Sequence, residues 1–383
     1  MKKSNNILIV SSEFPPGPGG IGNHAYNLFK IFKSDNWNVV LFVKQLYVKI
    51  SEKNEFNKNL KKPIYNIIDK TTIFSFLINF WSLNKIIKKH DIETIICSGL
   101  ISTYLLGFWS FFKKNKKIIT IIHAGEYLSD NYLLRKLSIY FLNKSDKIIC
   151  VSNFTKNKNI FFGVDEKIIE VIHNGADVKR QYDIDCSNIN SFPMLNANNK
   201  ILVTIGSISN RKGQLLSIKA MQYVIKEFKN CHYLIIGLND NLNRYQKIVS
   251  KLNLTKNIHF LGVLDFKDIK MILSYSHIYL LTSRFINNST FEGFGISVIE
   301  AASQSLPAIV TKTSGVSESI IDKETGFLAS ELPTEIASKI LYLLKNENKR
   351  IKIGKNARIR AMSSFSWRKV GTKYKKIIYK INN

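Results

Sequence analysis

The chain of 383 residues is expected to fold as two tandem α/β units, each a parallel sheet covered by helices. Three observations predict this. Short β-branched runs alternate with longer amphipathic segments. The alternation stops at a polar stretch after Asp177 and restarts at Lys200. Each half opens on strand, glycine-containing loop and helix, "NNILIVSSEFPPGPGG" in the first and "KILVTIGSISNRKGQ" in the second. The length points the same way, being too great for one average domain.

In the first half, ILIV, NVVLFV, TIIC, KIITIIH, KIICVS and EVIHNG read as strands, since runs apolar on both sides suit a parallel sheet buried on both faces. "VKRQYDIDCSNINSFPMLNANN" is polar, holds Pro193 and keeps no period, so it reads as a linker. The second half runs ILVTIGS, a helix from about Gln214 to Phe228, HYLIIG, a helix, NIHFLG, a helix, IYLLTS, another helix and PAIVT. The expected divisions are residues 1–178, a linker over 179–199, a second domain over 200–355, and a basic helical segment over 356–383.

An apolar fraction of 45% supports packed cores and excludes global disorder. Lys and Arg number 56 against 28 Asp and Glu, a net charge of +28. Such an excess suits a polyanion, whether nucleic acid, an anionic membrane face or a phosphorylated small molecule, or else a lysine-rich composition spread over the surface. The start, MKKSNN, enters a strand-like run without the pattern of a signal peptide. The apolar stretches Ile73 to Phe80 and Leu100 to Phe112 fall short of the roughly 20 residues that span a bilayer. Cys97, Cys150, Cys186 and Cys231 lie far apart, and three of them sit in or beside apolar runs, as reduced core thiols do. A cytoplasmic location is the expectation.

In "FPPGPGGIGNHAYNLFK", Gly17, Gly19 and Gly22 fit G-x-G-x-x-G. A glycine-rich turn entering a helix offers backbone N–H groups and the positive helix end to an anion. A dinucleotide site also needs an acidic residue closing the second strand. Here NVVLFV ends in Lys44 and Gln45, and Asp35 precedes the strand. Pro15, Pro16 and Pro18 further stiffen the loop into something wider than the usual turn. A nicotinamide or flavin site is therefore disfavoured. A phosphate or sugar-phosphate against Gly19 and Gly20 is the favoured reading, with a purely structural turn as the alternative.

Three features converge in the second half. "GSISNRKG" places Arg211 and Lys212 between strand and helix, where they can neutralise a diphosphate. "FEGFGISVIEAASQSLPAIV" brackets seven residues between Glu292 and Glu300, with Gly293 and Gly295 leaving amides free for phosphate. Glu300, read as about two turns into a helix and on the same face as Glu292, suits ribose hydroxyls as a two-oxygen acceptor. "TSGVSESIIDKETGFL" follows, punctuated by Gly315, Glu318 and Gly326.

Together with "VIHNGAD" at 171–177 and "PGPGGIGNHAYNL", these segments resemble, in the right order and over nearly the whole chain, the retaining glycosyltransferases of GT-B fold, family-four type. The resemblance implies two Rossmann-like domains with parallel sheets facing across a cleft, and a C-terminal helix that returns to the first domain. It implies transfer of a sugar from a UDP- or GDP-sugar, with retention, to a glycan or lipid-linked acceptor in bacterial surface polysaccharide or glycolipid synthesis. Arg211 and Lys212 would hold the diphosphate, and Glu292 the donor sugar. The amides of Gly293, Phe294 and Gly295 would meet phosphate or sugar, and Glu300 the ribose. Gly20, beside Gly19, would approach the diphosphate from the first domain. His123 in "TIIHAGEY" would face the sugar as a catalytic residue beside Glu292. No metal and no other cofactor is implied, and "DID" at 183–185, in the linker, is read as a chance likeness to a metal motif. The base is expected against backbone groups near His259 to Gly262. Departures from the family pattern are Ser207, Ala124, the long "SRFINNSTFEGFG" approach to Glu292, and Ser305 before Pro307.

Aromatic and basic residues cluster in "NFWSLNKIIKKH" and "LLGFWSFFKKNKKII", where Phe80, Trp81, Trp109, Phe111 and Phe112 adjoin seven lysines. They suit the headgroup region of an anionic bilayer and predict peripheral association with the inner face of the membrane. A nucleic-acid-binding protein is the rival class, but no zinc spacing, RNP-like motif or concentrated basic stripe supports it. A nucleotide-sugar epimerase or a phosphorylase is the rival within the fold.

Overall fold

The run Ile7–Val10 is wholly buried, as a strand covered by helices on both faces requires. The computed structural model describes residues 6–17, 19–46, 48–68, 72–112, 115–178, 186–238 and 241–382. Pro18, Lys113, Lys114, the "DID" at 183–185 and the first part of the expected linker, residues 179–185, lie outside them. The chain divides into two units, residues 1–175 with 367–383, and residues 176–366.

In the first unit seven strands pair in parallel: β1 (Asn6–Ser11), β2 (Asn38–Val43), β3 (Ile64–Asn66), β4 (Thr94–Ser98), β5 (Lys117–Ile122), β6 (Lys147–Cys150) and β7 (Ile169–Val171). Their order is β3-β2-β1-β4-β5-β6-β7. Parallel neighbours need crossovers, supplied by α1 (Gly20–Ser34), α2 (Ile50–Leu60), α3 (Ile73–Lys89), α4 (Leu100–Trp109), α5 (Tyr132–Leu142) and α6 (Asn153–Phe161). Because such crossovers are right-handed and the strand order reverses at β1/β4, α1 and α2 take one face and α3 to α6 the other.

The second unit repeats the plan with β8 (Lys200–Ile205), β9 (Cys231–Ile236), β10 (Ile258–Gly262), β11 (Ile278–Leu281), β12 (Ala308–Thr311) and β13 (Gly326–Ala329). The order is β10-β9-β8-β11-β12-β13, again all parallel. Its helices are α7 (Gln214–Glu227), α8 (Leu242–Lys251), α9 (Phe266–Tyr275), α10 (Ile296–Ser303), α11 (Pro333–Lys345) and α12 (Glu347–Ser364).

Two expected divisions shift. Within the supposed linker, Phe192 and Leu195 are buried in a cluster with Ile201 and Val203, so residues 186–199 pack into the second unit. The expected tail from residue 356 is also divided. Its first part continues α12, whose Gly354, Ala357 and Ala361 form a stripe small enough for close packing; a side chain at Gly354 would come within 2.0 Å of the Ser305 carbonyl oxygen. Only α13 (Trp367–Asn382) belongs to the first unit. It lies on α1, where a side chain at Gly371 would meet Ile31 at 2.4 Å and Tyr379 packs 5.5 Å from Trp37.

Cys97, Cys150 and Cys231 are buried free thiols, and burial pushes Cys97 and Cys231 up to about 12, whereas Cys186 is exposed. Among the described residues no helix is long and apolar enough to cross a membrane.

Candidate active site

Each sheet reverses its strand order once, at β1/β4 and at β8/β11, and loops leaving the carboxyl ends of such strands diverge to open a crevice. Gly19 and Gly20 follow β1, and Arg211, Lys212 and Glu292 follow β8 and β11, so these motif residues fall at the two places.

In the second unit the loop 206–213 leaves β8 and enters α7. Gln214 clamps it, accepting from the Ser209 amide at 3.2 Å and donating to the Ser207 carbonyl at 3.1 Å. Gly213 has φ +71°, and a β-carbon there would lie 1.8 Å from the carbonyl oxygen of Thr282, which follows β11. Thr282 Oγ1 in turn donates to the Gly213 carbonyl at 2.7 Å, and the Arg284 amide donates to the Arg211 carbonyl at 2.8 Å. The β8 and β11 loops are thereby sewn together, and a glycine at 213 is required by that approach.

This stitching brings Arg211 and Lys212 onto Glu292. The buried Glu292 carboxylate accepts from Lys212 Nζ at 3.1 Å through Oε1, with Oε2 3.0 Å from the same ammonium, and from the Arg211 guanidinium. Burial by itself would raise this carboxyl. The charges of Lys212 and Arg211 and their hydrogen bonds outweigh it and hold the group below its ordinary value. Two cations meeting on one carboxylate leave a net positive charge at the mouth of the sheet.

Gly293, Phe294 and Gly295 follow directly and lead into α10. Gly295 is its N-cap with φ +84°, and a side chain there would meet Val316 at 2.8 Å. Phe294 is buried beside Phe365, ring centroids 5.4 Å apart. The Glu pair does not share a helical face. Glu292 precedes α10 by four residues, and Glu300 is the fifth residue of that helix, little more than one turn in. Glu300 is exposed; the surrounding protein and Asp177 raise its carboxyl while Lys212 lowers it. Around the expected base position, His259 is engaged by His232 at 3.0 Å and the Gly262 carbonyl accepts from the Gly237 amide at 2.7 Å.

The first unit holds a second polar group beside its own switch point, at the ends of β4 and β5. His123, just beyond β5, is bonded through Nε2 to Ser98 Oγ at 2.8 Å, and burial pushes it down to about 4, so it is neutral at pH 7. Glu126 turns back to accept from the amides of His123 and Ala124 at 2.7 and 2.6 Å. His24, on α1 and wholly buried, packs edge-on to His123 with centroids 4.9 Å apart.

The glycine loop corrects one expectation. At Gly19, with φ +144°, a β-carbon would sit 2.1 Å from Glu13 Oε2, so that glycine makes room for a carboxylate of the protein itself. Burial raises the Glu13 carboxyl, and the amides of Gly22 and Ile21 and the charge of Lys44 work against that rise. Nothing lies within 4 Å of a β-carbon built at Gly20, so its face is open. Glu13, His24, Ser98 and Glu126 were not singled out from the sequence. Glu13 and Glu126 had one local signal each, an acid in the loop that follows a strand, in "SSEF" and in "HAGEY".

Two parallel-sheet Rossmann-like units, with a cationic cluster at the switch point of the second, define a protein of the GT-B class. The Glycosyl transferases group 1 model matches residues 188–360 and the Glycosyltransferase Family 4 model residues 18–180, and the chain belongs to this glycosyltransferase family. It is similar to an uncharacterized glycosyltransferase of Methanocaldococcus jannaschii, 26% identical over 98% of this chain and 99% of that one. A Corynebacterium glutamicum GDP-mannose-dependent monoacylated alpha-(1-6)-phosphatidylinositol monomannoside mannosyltransferase is 23% identical over 99% of both. Among solved structures, Anabaena HepE in complex with UDP superposes with TM-score 0.81 at 18% identity, over 98% of this chain and 100% of that one.

Proposed function

We propose that the protein transfers a sugar from a nucleoside diphosphate to a hydroxyl of a glycan or lipid-linked acceptor, with retention at the anomeric carbon and without a metal. The observation that carries this is the meeting of Arg211 and Lys212 on Glu292 at the β8/β11 switch point. As the glycosidic bond breaks, negative charge collects on the leaving diphosphate, and preorganised cations lower the barrier. Arg211 and Lys212 exchange Glu292 for the diphosphate, which frees its carboxylate to accept from a sugar hydroxyl. The amides at the start of α10 add a further anion contact, and Glu300 accepts from the ribose. His123, being neutral, serves as a hydrogen-bond partner for the sugar rather than as a proton donor. Supporting the donor class, HepE structures contain UDP and UDP-glucose, and the corynebacterial relative is named for GDP-mannose.

The test is incubation with labelled UDP- and GDP-sugars and a panel of glycan and lipid acceptors, followed by NMR of the product's anomeric proton. A product with the donor's configuration supports the reading. An inverted product, or dependence on an added divalent cation, contradicts it.

A further inference from the structure

Helices α3 to α6 lie side by side on one face of the seven-stranded sheet, and their outer side chains are unusual. Exposed there are Phe74 and Trp81 on α3, Phe112 just after α4, Leu133 and Leu137 on α5, and Phe161 at the end of α6; Trp81 is 71%, Phe112 60% and Leu133 74% accessible. Ring contacts link the elements into one surface, from Phe80 to Phe112 at 5.8 Å and from Phe111 to Tyr140 at 6.3 Å. Arg135 of α5 lies 4.9 Å from the Phe162 ring that follows α6, and Lys144 lies 4.8 Å over Tyr140.

None of α3, α4, α5 and α6 contains an Asp or a Glu, whereas α3 alone ends in exposed Lys85, Lys88 and Lys89. Soluble surfaces do not normally leave contiguous apolar area of this kind uncovered. We infer that this face docks on an anionic lipid bilayer, with the aromatic and aliphatic side chains entering the headgroup region and the lysines and arginines meeting lipid phosphate. A second copy of the same face would oppose lysine to lysine. A nucleic acid would satisfy the cations and rings, but Leu133 and Leu137 gain nothing from bases, whereas a bilayer satisfies all three kinds of side chain. One residue named from the sequence does not take part as expected: Trp109 is 3% exposed with its indole donating to Asn84 at 2.8 Å, while half-buried Phe80 backs Phe112 from beneath the face. The acceptor class proposed above then narrows to a lipid-linked one.

The experiment is co-sedimentation of the full chain, without donor or acceptor, with vesicles of phosphatidylcholine alone or mixed with phosphatidylglycerol. Binding is expected to the anionic vesicles only and to fall as salt shortens the screening length. Lys85→Gln/Lys88→Gln/Lys89→Gln should weaken it about a hundredfold. Trp81→Ser/Phe112→Ser/Leu133→Ser should abolish it at any salt. Both variants change exposed side chains, and an unaltered melting temperature checks that they fold. Absence of binding at low salt, binding that either variant retains in full, or co-sedimentation with immobilised single-stranded DNA without vesicle binding each overturns the inference. So does concentration-dependent dimerisation lost in the aromatic variant. None of these outcomes touches the donor-site reading, which is measured with nucleotide alone.

Discussion

Glu292 occupies two cations, Arg211 and Lys212, and on the proposed reading a diphosphate must win them, so removing the carboxylate and removing a cation have different consequences. Lys212→Ala should lower turnover by about 10²-fold or more and weaken nucleotide binding with it. Glu292→Ala should lower turnover by a similar factor, yet leave UDP or GDP affinity unchanged or improved, because its competition is gone. Steady-state kinetics with parallel calorimetry separates the two; equal losses of nucleotide affinity in both variants contradict the exchange. Gly213→Ala adds a methyl against the Thr282 carbonyl in a left-handed backbone, and should cost about 2 kcal/mol in denaturant titration while displacing Arg211 and Lys212. A variant as stable and active as the parent contradicts the packing argument. The acid side tests His123. Its folded value lies near 4 and its ordinary value at 6.5, so across that interval the unfolded chain binds more protons and stability falls as pH falls. Glu13 and Glu126, both raised by burial, act in the opposite sense, since their contribution declines as pH rises through their folded values. His123→Gln should therefore flatten the loss of melting temperature between pH 6.5 and 4, and an unchanged slope contradicts the assignment. Arg211, Lys212 and Glu292 were legible in the sequence because each lies in a short motif between a strand and a helix. Glu13 was not, because its partner Gly19 becomes a partner only when the loop after β1 folds back.

At the scale of elements, eleven of the strands were legible, as short β-branched and apolar runs set between longer amphipathic segments. The short edge strands β3 and β13 were not: Ile64–Asn66 has three residues, and Gly326–Ala329 lies in a segment read as turn punctuation. Between them these two strands hold one β-branched residue, Ile64, so they leave a weak strand pattern. The tail misled for a related reason. α12 packs through Gly354, Ala357 and Ala361, whose smallness permits contact without hydrophobic periodicity, and its basic residues hid the buried stripe. α3 and α4 show the converse. Their aromatic content was plain, but which rings point inward depends on helical phase, which buries Trp109 and leaves Trp81 in solvent. The docking prediction belongs to this level, since it rests on four helices presenting one acid-free face.

For the whole molecule, the charge of +28 offered several partners, and the structure places it in distinct settings. A small share, Arg211 and Lys212, is concentrated on one buried carboxylate at a strand-order reversal, where charge has chemical leverage. Another share edges the exposed aromatic face of the first unit. The two-unit plan itself was legible because the strand–loop–helix opening occurs twice, and two openings demand two sheets. The central claim is that the second unit holds a nucleoside diphosphate through Lys212 and Arg211. Thermal unfolding of the parent chain and Lys212→Ala, with UDP, GDP and ADP and their sugars, tests it most directly, because a ligand at about 100 times its Kd adds about 2.7 kcal/mol to stability. The account predicts a rise in melting temperature of the parent with one base family, abolished by Lys212→Ala; no rise with any nucleotide, or a rise the variant retains in full, would contradict it.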